Sequence, residues 1–170
     1  MTTLISTPKP SPLQQAQQLS YIKYTAPSSR SHVITSESRG LILGSGTTGF
    51  RTWEAALHLG TFLSTPQGQD LVRGKRVIEL GGGTGFLSLF CGMDPGVKSV
   101  VVTDREPALI ENIEDCVKRN GVEEVVSPCI WEWGTPLEHS GFATGEKAEF
   151  DIALGADLVC LETPPASWCY

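Results

Sequence analysis

The sequence predicts an α/β fold with a doubly wound, mostly parallel sheet. Apolar strands alternate with helical segments between residues 76 and 130, a pattern typical of parallel sheets with crossover helices. The strand at residues 99–103 is apolar along most of its length, as expected when helices cover both faces of a sheet. A glycine loop at residues 81–85 joins one strand directly to a helix, which places it at the carboxyl edge of such a sheet.

The first 30 residues are predicted to be a flexible or loosely packed arm. They are rich in Pro, Ser, Thr and Gln and contain few large apolar side chains, so burial cannot offset the entropy lost on ordering. The second half of the arm would form a short helix or pack on the body through Leu13, Leu19, Tyr21 and Ile22. A domain over residues 31–160 and a tail over residues 161–170 follow.

The domain begins with a predicted strand, a turn and a helix. Residues 41–43 suggest a short strand, and residues 44–49 form a glycine-rich turn. The helix starts near Thr52 and has one apolar stripe, made of Trp53, Ala56, Leu57, Gly60 and Leu63. We expect Thr52 to cap this helix, and Pro66 with Gly68 to end it.

The remaining elements complete the alternating pattern. Predicted strands cover residues 76–80, 99–103, 125–130 and 150–155, with a turn at Asp94, Pro95 and Gly96. One helix starts within residues 84–90, and another starts at Pro107. The second helix carries a buried stripe and is closed by a glycine: Ile110, Ile113, Cys116, Val117, then Gly121 after Asn120.

Composition narrows the classes of protein. A chain of 170 residues can form one domain with a core, and no apolar run approaches the ~20 residues needed to span a bilayer. The net charge of −6 and the lack of a Lys/Arg cluster argue against a nucleic-acid partner. The five cysteines are odd in number and widely spaced, which favours buried, reduced thiols in a cytoplasmic protein over disulfides or a structural metal.

The glycine loop and an acid at the end of the next strand form the candidate ligand site. Gly81, Gly82, Gly83 and Gly85 leave the backbone accessible, and the amides at the start of the helix favour negative groups. Asp104 closes the next strand, where its carboxylate can accept hydrogen bonds from both hydroxyls of a ribose. The alternatives are a tight turn without a ligand and, for Asp104, a helix N-cap.

The glycine spacing bears on the class of nucleotide. The dinucleotide pattern G-x-G-x-x-G would require a glycine where the sequence has Phe86, and residues 79–85 instead read E-x-G-x-G-x-G. Residues 44–49 do match the dinucleotide pattern, although the predicted strand before them is very short. A nicotinamide-dinucleotide site at that second loop therefore stays open as an alternative.

Five stretches, in order along the chain, resemble one family of enzymes. Residues 45–55 read SGTTGFRTWEA, residues 77–85 hold the glycine loop, and residues 102–104 end in an acid. Residues 131–134 read WEWG, and residues 155–157 read GAD. Together they resemble the Rossmann-like class I, or seven-β-strand, S-adenosyl-methionine-dependent methyltransferases. Within that class they resemble the METTL21-like protein-lysine methyltransferases that modify elongation factor 2.

The resemblance implies a role for each matching residue. The methionine end of S-adenosyl-methionine would lie against Trp53, Glu79, Gly81, Gly82 and Gly83, with Gly85 completing the loop. Asp104 would bind the ribose, Trp133 would pack on the adenine, and Ala156 would complete the wall of the cofactor pocket. The resemblance implies no metal ligand. Without the resemblance, Trp53 is a core residue of its helix stripe, and the alternation of Trp131 with Trp133 turns one of the two inward.

Methyl transfer to an amine requires alignment and an uncharged nucleophile more than it requires an acid or a base. The amine of a lysine has a reference pKa of about 10.4, so its neutral form must be selected or generated. We expect Asp157, just beyond the fourth strand, to hydrogen-bond and orient that amine as the catalytic residue. The alternative is a solvated carboxylate at a strand end.

The end of the sequence departs from the family pattern. The family's D-x-x-Y motif reads DLVC at residues 157–160, and residues 161–170 resemble nothing in the family. The family sheet continues beyond its fourth strand, so we expect a sheet that is incomplete after strand four, as in a truncated product. An uncovered edge of this kind would give low solubility, weak cofactor binding and little activity.

The sequence as a whole therefore predicts a cytoplasmic S-adenosyl-methionine-dependent protein-lysine N-methyltransferase. Its protein substrate is expected to be elongation factor 2 or a related translation factor, with neither nucleic acid nor a membrane as partner. The alternative is a catalytically inactive, S-adenosyl-methionine-binding fragment of such an enzyme.

Overall fold

The computed structural model describes residues 18–25, 32–38, 47–93, 96–137 and 149–158. The strand predicted at residues 41–43, the first half of the turn at 44–49, the first two residues of the turn at 94–96 and the tail at 161–170 lie outside these ranges.

Four parallel strands form the central sheet. They are β3 (Arg76–Leu80), β4 (Ser99–Asp104), β5 (Val126–Ile130) and β6 (Ile152–Gly155), and their order across the sheet is β5-β4-β3-β6. Because β4 and β5 lie on one side of β3 and β6 lies on the other, the winding direction reverses beside β3. The predicted doubly wound parallel sheet is therefore confirmed, and its ligand crevice is expected at the carboxyl end of β3.

The described ranges contain four helices: α1 (Glu54–Leu63), α2 (Pro66–Val72), α3 (Phe86–Met93) and α4 (Pro107–Asn120). Of these, α3 and α4 pack on the sheet, α1 packs on α3, and α2 packs on α1. The predicted stripe of α4 is buried throughout, at Ile110, Ile113, Cys116 and Val117. Gly121 ends α4 with φ of 67°, a left-handed conformation that glycine adopts without a steric penalty. None of the helices in the described ranges has the length and apolar character needed to cross a bilayer.

The ends of α1 differ from the prediction. The N-cap position belongs to Trp53, not to Thr52, because the hydroxyl of Thr52 is engaged with Glu37 and Thr84 instead. Pro66 does not simply end α1 but begins α2, where a missing N–H costs nothing. Thr65 caps this short helix by accepting a hydrogen bond from the N–H of Gly68 at 3.2 Å.

A hairpin precedes the helices, made of antiparallel strands β1 (Ser20–Thr25) and β2 (His32–Glu37). Residues 20–25 are therefore a strand that contacts the rest of the domain, and not the short helix given as the other possibility; the boundaries of the arm, the domain and the tail stay a prediction. The polar composition of residues 1–30 hid this strand because most of its stabilisation comes from pairing with β2 rather than from burial of its own side chains. Tyr24 also packs edge-on against Phe86, with ring centroids 5.1 Å apart.

The hairpin is attached to α4 through two asparagine side chains. Asn120 accepts a hydrogen bond from the N–H of Ile34 at 2.8 Å and donates to the carbonyl of Ile34 at 2.7 Å, as a paired strand would. Asn112 donates to the carbonyl of Ser36 at 2.9 Å. These contacts satisfy backbone groups on the edge of β2 that faces α4.

The described cysteines are buried thiols. Burial raises the pKa of Cys91 to about 12 and that of Cys116 to about 11, so both stay neutral and packed in the core. Among the described residues no group of His, Cys, Asp and Glu is arranged to hold a metal ion.

We expect Asn120→Ala to lower the free energy of unfolding by about 2–3 kcal/mol, because it leaves the backbone N–H and carbonyl of Ile34 without their partner. Urea unfolding measures this loss. Glu111→Ala, an exposed change on the same helix, is the control and should cost little. A loss below about 0.5 kcal/mol for Asn120→Ala would contradict the attachment of the hairpin to α4.

Candidate functional site

The loop from β3 to α3 requires its glycines for two separate reasons. Gly81, Gly83 and Gly85 have φ of 60°, 55° and 74°, so every second residue of the loop is left-handed. L side chains rarely adopt this conformation, which explains the alternating E-x-G-x-G-x-G pattern. Gly82 has ordinary φ, but a Cβ there would overlap the side chain of Val102 on β4.

The loop is fastened to the end of β4. The N–H of Gly82 donates to the carbonyl of Thr103 at 2.8 Å, and the N–H of Gly83 donates to Oδ2 of Asp104 at 3.1 Å. The other oxygen of Asp104 accepts from the N–H of Glu106 at 3.2 Å. Since Glu106 is itself the N-cap position of α4, the alternative of Asp104 as that helix's N-cap is wrong.

Glu79 lies directly behind the loop and is almost fully buried. Its Oε2 accepts hydrogen bonds from both the N–H of Ser88, at 2.9 Å, and the hydroxyl of Ser88. Burial, with a smaller contribution from the nearby charge of Asp104, raises the pKa of Glu79 to about 7, although the two hydrogen bonds from Ser88 lower it. Glu79 therefore joins the end of β3 to the first turns of α3 and titrates near neutral pH.

Two adjoining cavities occupy the crevice. The first, of about 150 Å³, lies between the glycine loop and the segment before α1. The second, of about 630 Å³, lies beside residues 131–134. Gly81 and Asp104 line both cavities, so the two meet at the end of β3 and β4. Cavities of roughly 300–1,000 Å³ are the usual size for cofactors and similar ligands.

The structure brings together nine of the ten predicted site residues. The first cavity is lined by Trp53, Glu79, Gly81, Gly82, Gly83, Asp104, Ala156 and Asp157, and the second includes Trp133. The exception is Gly85, which lines neither. A Cβ at Gly85 would be 3.0 Å from Cγ2 of Ile113, so this glycine instead permits close packing of the loop on α4.

The tryptophans correct the expectations drawn from periodicity. Trp53 is only partly buried, its indole N–H donates to the carbonyl of Thr48 at 3.3 Å, and it faces the first cavity rather than the core. Trp131 and Trp133 both line the second cavity, so neither is turned away from it. The reason is that both follow the end of β5, and Trp133 lies in a turn, so the alternation of strand side chains no longer applies.

Arg51 is a site residue that sequence reasoning did not identify. Among the described residues it is the one basic residue lining the first cavity, which is also lined by the acidic residues Glu79, Asp104 and Asp157. Its guanidinium lies 5.0 Å from the centroid of the Trp53 ring and pairs with Glu54 at 3.1 Å. The signal that could have identified Arg51 is its place within the SGTTGFRTWEA stretch, two residues before Trp53.

The described part of the second glycine pattern, residues 47–49, lies at the first cavity. Thr47, Thr48 and Gly49 line the same cavity as the glycine loop, and a Cβ at Gly83 would be 3.1 Å from the carbonyl oxygen of Gly49. This close approach places the segment before α1 over the glycine loop. The alternative of an independent dinucleotide site at residues 44–49 is therefore not supported in the part of it that is described.

The crevice fits S-adenosyl-methionine. A cradle of left-handed glycine backbone, an acid at the end of β4 for a ribose and an aromatic wall for a purine are what this molecule requires. When bound, it supplies an electrophilic methyl group on a positively charged sulfur. Fold and site together define a Rossmann-like class I S-adenosyl-methionine-dependent methyltransferase.

The chain belongs to the lysine methyltransferase family, whose sequence profile matches residues 33–164. It is 40% identical over 168 residues to the protein-lysine N-methyltransferase EFM3 of Chaetomium thermophilum, covering 93% of this chain and 49% of the relative. It is 37% identical over 116 residues to the mouse EEF1A lysine methyltransferase 3, covering 66% of this chain and 44% of the relative.

Solved structures confirm the fold. The T. thermophilus 16S rRNA methyltransferase RsmC, solved with AdoMet and guanosine, superposes with a TM-score of 0.58 at 18% identity. The superposition covers 92% of this chain and 36% of that one. The chain spans about half the length of the curated relatives it matches.

Titration of Glu79 makes stability depend on pH. Its pKa is raised from 4.5 to about 7 on folding, so its neutral form favours the folded state and this contribution is present below pH 4.5. The contribution falls as pH rises through 7, by on the order of 2–3 kcal/mol. We therefore expect the wild type to lose stability relative to Glu79→Gln between pH 5 and pH 8, as measured by urea unfolding. A difference that is constant with pH would contradict the raised pKa.

Proposed function

We propose that this chain is a cytoplasmic S-adenosyl-methionine-dependent protein-lysine N-methyltransferase acting on elongation factor 2 or a related translation factor, the alternative being an inactive cofactor-binding fragment of such an enzyme. The observation that carries the proposal is the pair of cavities that share Gly81 and Asp104, the smaller of which is also lined by Asp157. The choice of target is supported by the resemblance of residues 45–55 to the motif of elongation-factor-2 methyltransferases. The mouse relative is likewise an EEF1A lysine methyltransferase by name.

The two cavities suggest how S-adenosyl-methionine would lie. Asp104 lines both cavities at the point where they meet, which suits a ribose at the centre of the molecule. Trp133 in the larger cavity would pack on the adenine, a contact of roughly 1–3 kcal/mol for stacked bases. The methionine end would then occupy the smaller cavity between Trp53 and Gly83. There Arg51 provides a positive partner for a carboxylate.

When bound, S-adenosyl-methionine would supply the methyl group, whose carbon would bond to the lysine nitrogen in place of sulfur. Sulfur would keep the electron pair of the broken bond, and the proton of the methylated ammonium would leave to solvent. The residues of this chain have to hold the amine in line and in its neutral form, since a lysine is protonated at neutral pH.

Asp157 is the residue proposed to orient the amine. It follows β6, is exposed and lines the smaller cavity near Trp53 and Ala156. Its φ of 58° makes it a left-handed residue, a conformation that Asp and Asn tolerate better than most side chains. A carboxylate there can accept a hydrogen bond from an amine N–H and so direct the lone pair of the nitrogen.

We expect Asp157→Asn to reduce methyl transfer at least about tenfold while leaving the dissociation constant of S-adenosyl-homocysteine nearly unchanged. Asparagine keeps the left-handed backbone, so the change removes the charge without adding backbone strain. Transfer of labelled methyl groups measures the first quantity and calorimetry measures the second. Asp70→Asn, an exposed acid on α2, is the matched control. Unchanged transfer by Asp157→Asn would remove this role.

The target is tested by incubating the protein with labelled S-adenosyl-methionine and purified elongation factor 2. We expect label on a lysine of elongation factor 2, and none when its lysines are chemically blocked beforehand. Label that appears only on a different translation factor would show that elongation factor 2 is not the substrate. Binding of S-adenosyl-homocysteine without any transfer would instead support the inactive cofactor-binding fragment.

A further inference from the structure

Glu37, at the end of β2, is a buried acid that the proposed reaction does not use. Only 2% of its surface is exposed. Oε1 of its carboxylate accepts hydrogen bonds from the hydroxyls of Tyr24 at 2.9 Å, Thr35 at 2.5 Å and Thr52 at 2.8 Å. Oε2 accepts from the backbone N–H of Thr52 at 3.2 Å. A buried carboxylate that accepts this many hydrogen bonds holds the donating residues in fixed positions.

The bonds of Thr52 extend from Glu37 to the glycine loop. Oγ1 of Thr52 lies 2.7 Å from Oγ1 of Thr84. A hydroxyl has one proton, and that of Thr52 is donated to Glu37, so Thr84 must be the donor between the two threonines. The result is a relay with one direction, from Thr84 to Thr52 to Glu37.

The relay ends inside the cofactor cradle. Thr84 is 2% exposed and lies between Gly83 and Gly85, both of which are left-handed. Thr84 and Thr52 both line the smaller cavity, whereas Glu37 does not. A buried acid on the hairpin is therefore connected through two hydroxyls to the loop that would hold the cofactor.

Other contacts join the hairpin to the same region. The N–H of Ser38, just after β2, donates to the carbonyl of Phe50 at 2.8 Å, and Phe50 leads into Arg51. The ring of Tyr24 packs on Phe86, the first residue of α3, which also lines the smaller cavity. The hairpin thus contacts both segments that face each other across this cavity.

We propose that Glu37 is a positioning residue for S-adenosyl-methionine. Through the hydroxyl relay of Thr52 and Thr84, it makes the β1–β2 hairpin part of the cofactor site. The proposal rests on the cofactor assignment and not on the target protein or on the role of Asp157. It is therefore tested by binding of S-adenosyl-homocysteine rather than by methyl transfer.

The test compares variants in calorimetric binding of S-adenosyl-homocysteine, with the melting temperature recorded for each. Thr52→Val keeps the shape but removes the relay hydroxyl, and Thr52→Ser keeps the hydroxyl. We expect Thr52→Val to weaken binding about tenfold, equivalent to one hydrogen bond of about 1.4 kcal/mol, and Thr52→Ser to bind close to wild type. Glu37→Gln should weaken binding by a similar factor. Its effect should not add to that of Thr84→Val in a double-mutant cycle.

Thr35→Val is the control that separates positioning from stability. Thr35 also donates to Glu37, but it has no contact with Thr84 among the described hydrogen bonds. We expect Thr35→Val to lower the melting temperature about as much as Thr52→Val and to leave affinity within about twofold of wild type. Equal affinities for Thr52→Val and Thr52→Ser, or equal losses for Thr35→Val and Thr52→Val, would overturn the proposal. If Glu37→Gln does not fold, the two Thr52 variants decide the question.

Discussion

The site depends on how closely the glycine loop can approach β4. Gly82 lies against Val102 at a distance that no Cβ would permit, and its N–H bonds to the carbonyl of Thr103. This contact brings the N–H of Gly83 within reach of Asp104, so the acid and the loop form one surface. A side chain at position 82 would separate them, and the two cavities would no longer meet at Gly81 and Asp104.

Charge around the smaller cavity is unbalanced in a way that suits a cationic ligand. Three acidic residues line it, Glu79, Asp104 and Asp157, and among the described residues Arg51 is the one basic residue beside them. Burial raises the pKa of Glu79 to about 7, so both of its protonation states are populated near neutral pH.

The sequence predicted local structure well at positions where the residue type alone determines the backbone conformation. The left-handed glycines of the loop, the cap at Gly121 and the continuous apolar strand at β4 are visible as residue types at fixed spacing. It did not predict contacts that depend on a residue far away in the chain. Thr52 reads as a helix cap, yet its hydroxyl is taken by Glu37, which lies 15 positions earlier in the chain. The strand β1 reads as a polar arm because its partner is β2 rather than a hydrophobic core.

The tryptophans and Glu37 also depend on contacts that the local sequence pattern does not predict. Strand periodicity predicted opposite directions for Trp131 and Trp133, but β5 ends at Ile130 and both residues line the larger cavity. The family motif indicated Trp133, and its role beside the adenine stays a prediction. Glu37 had neither a motif nor a period to mark it, since its importance comes only from the donors that converge on it.

The central claim is that S-adenosyl-methionine occupies the crevice where β3 and β4 end. The most direct measurement is an amide NMR titration of the labelled protein with S-adenosyl-homocysteine and, separately, with a nicotinamide dinucleotide. We expect S-adenosyl-homocysteine to shift the amides of Gly81, Gly82, Gly83 and Asp104 together with the indole of Trp133, and the dinucleotide to leave them unchanged. Shifts at the loop with the dinucleotide alone, or shifts with S-adenosyl-homocysteine that avoid these residues, would contradict the assignment.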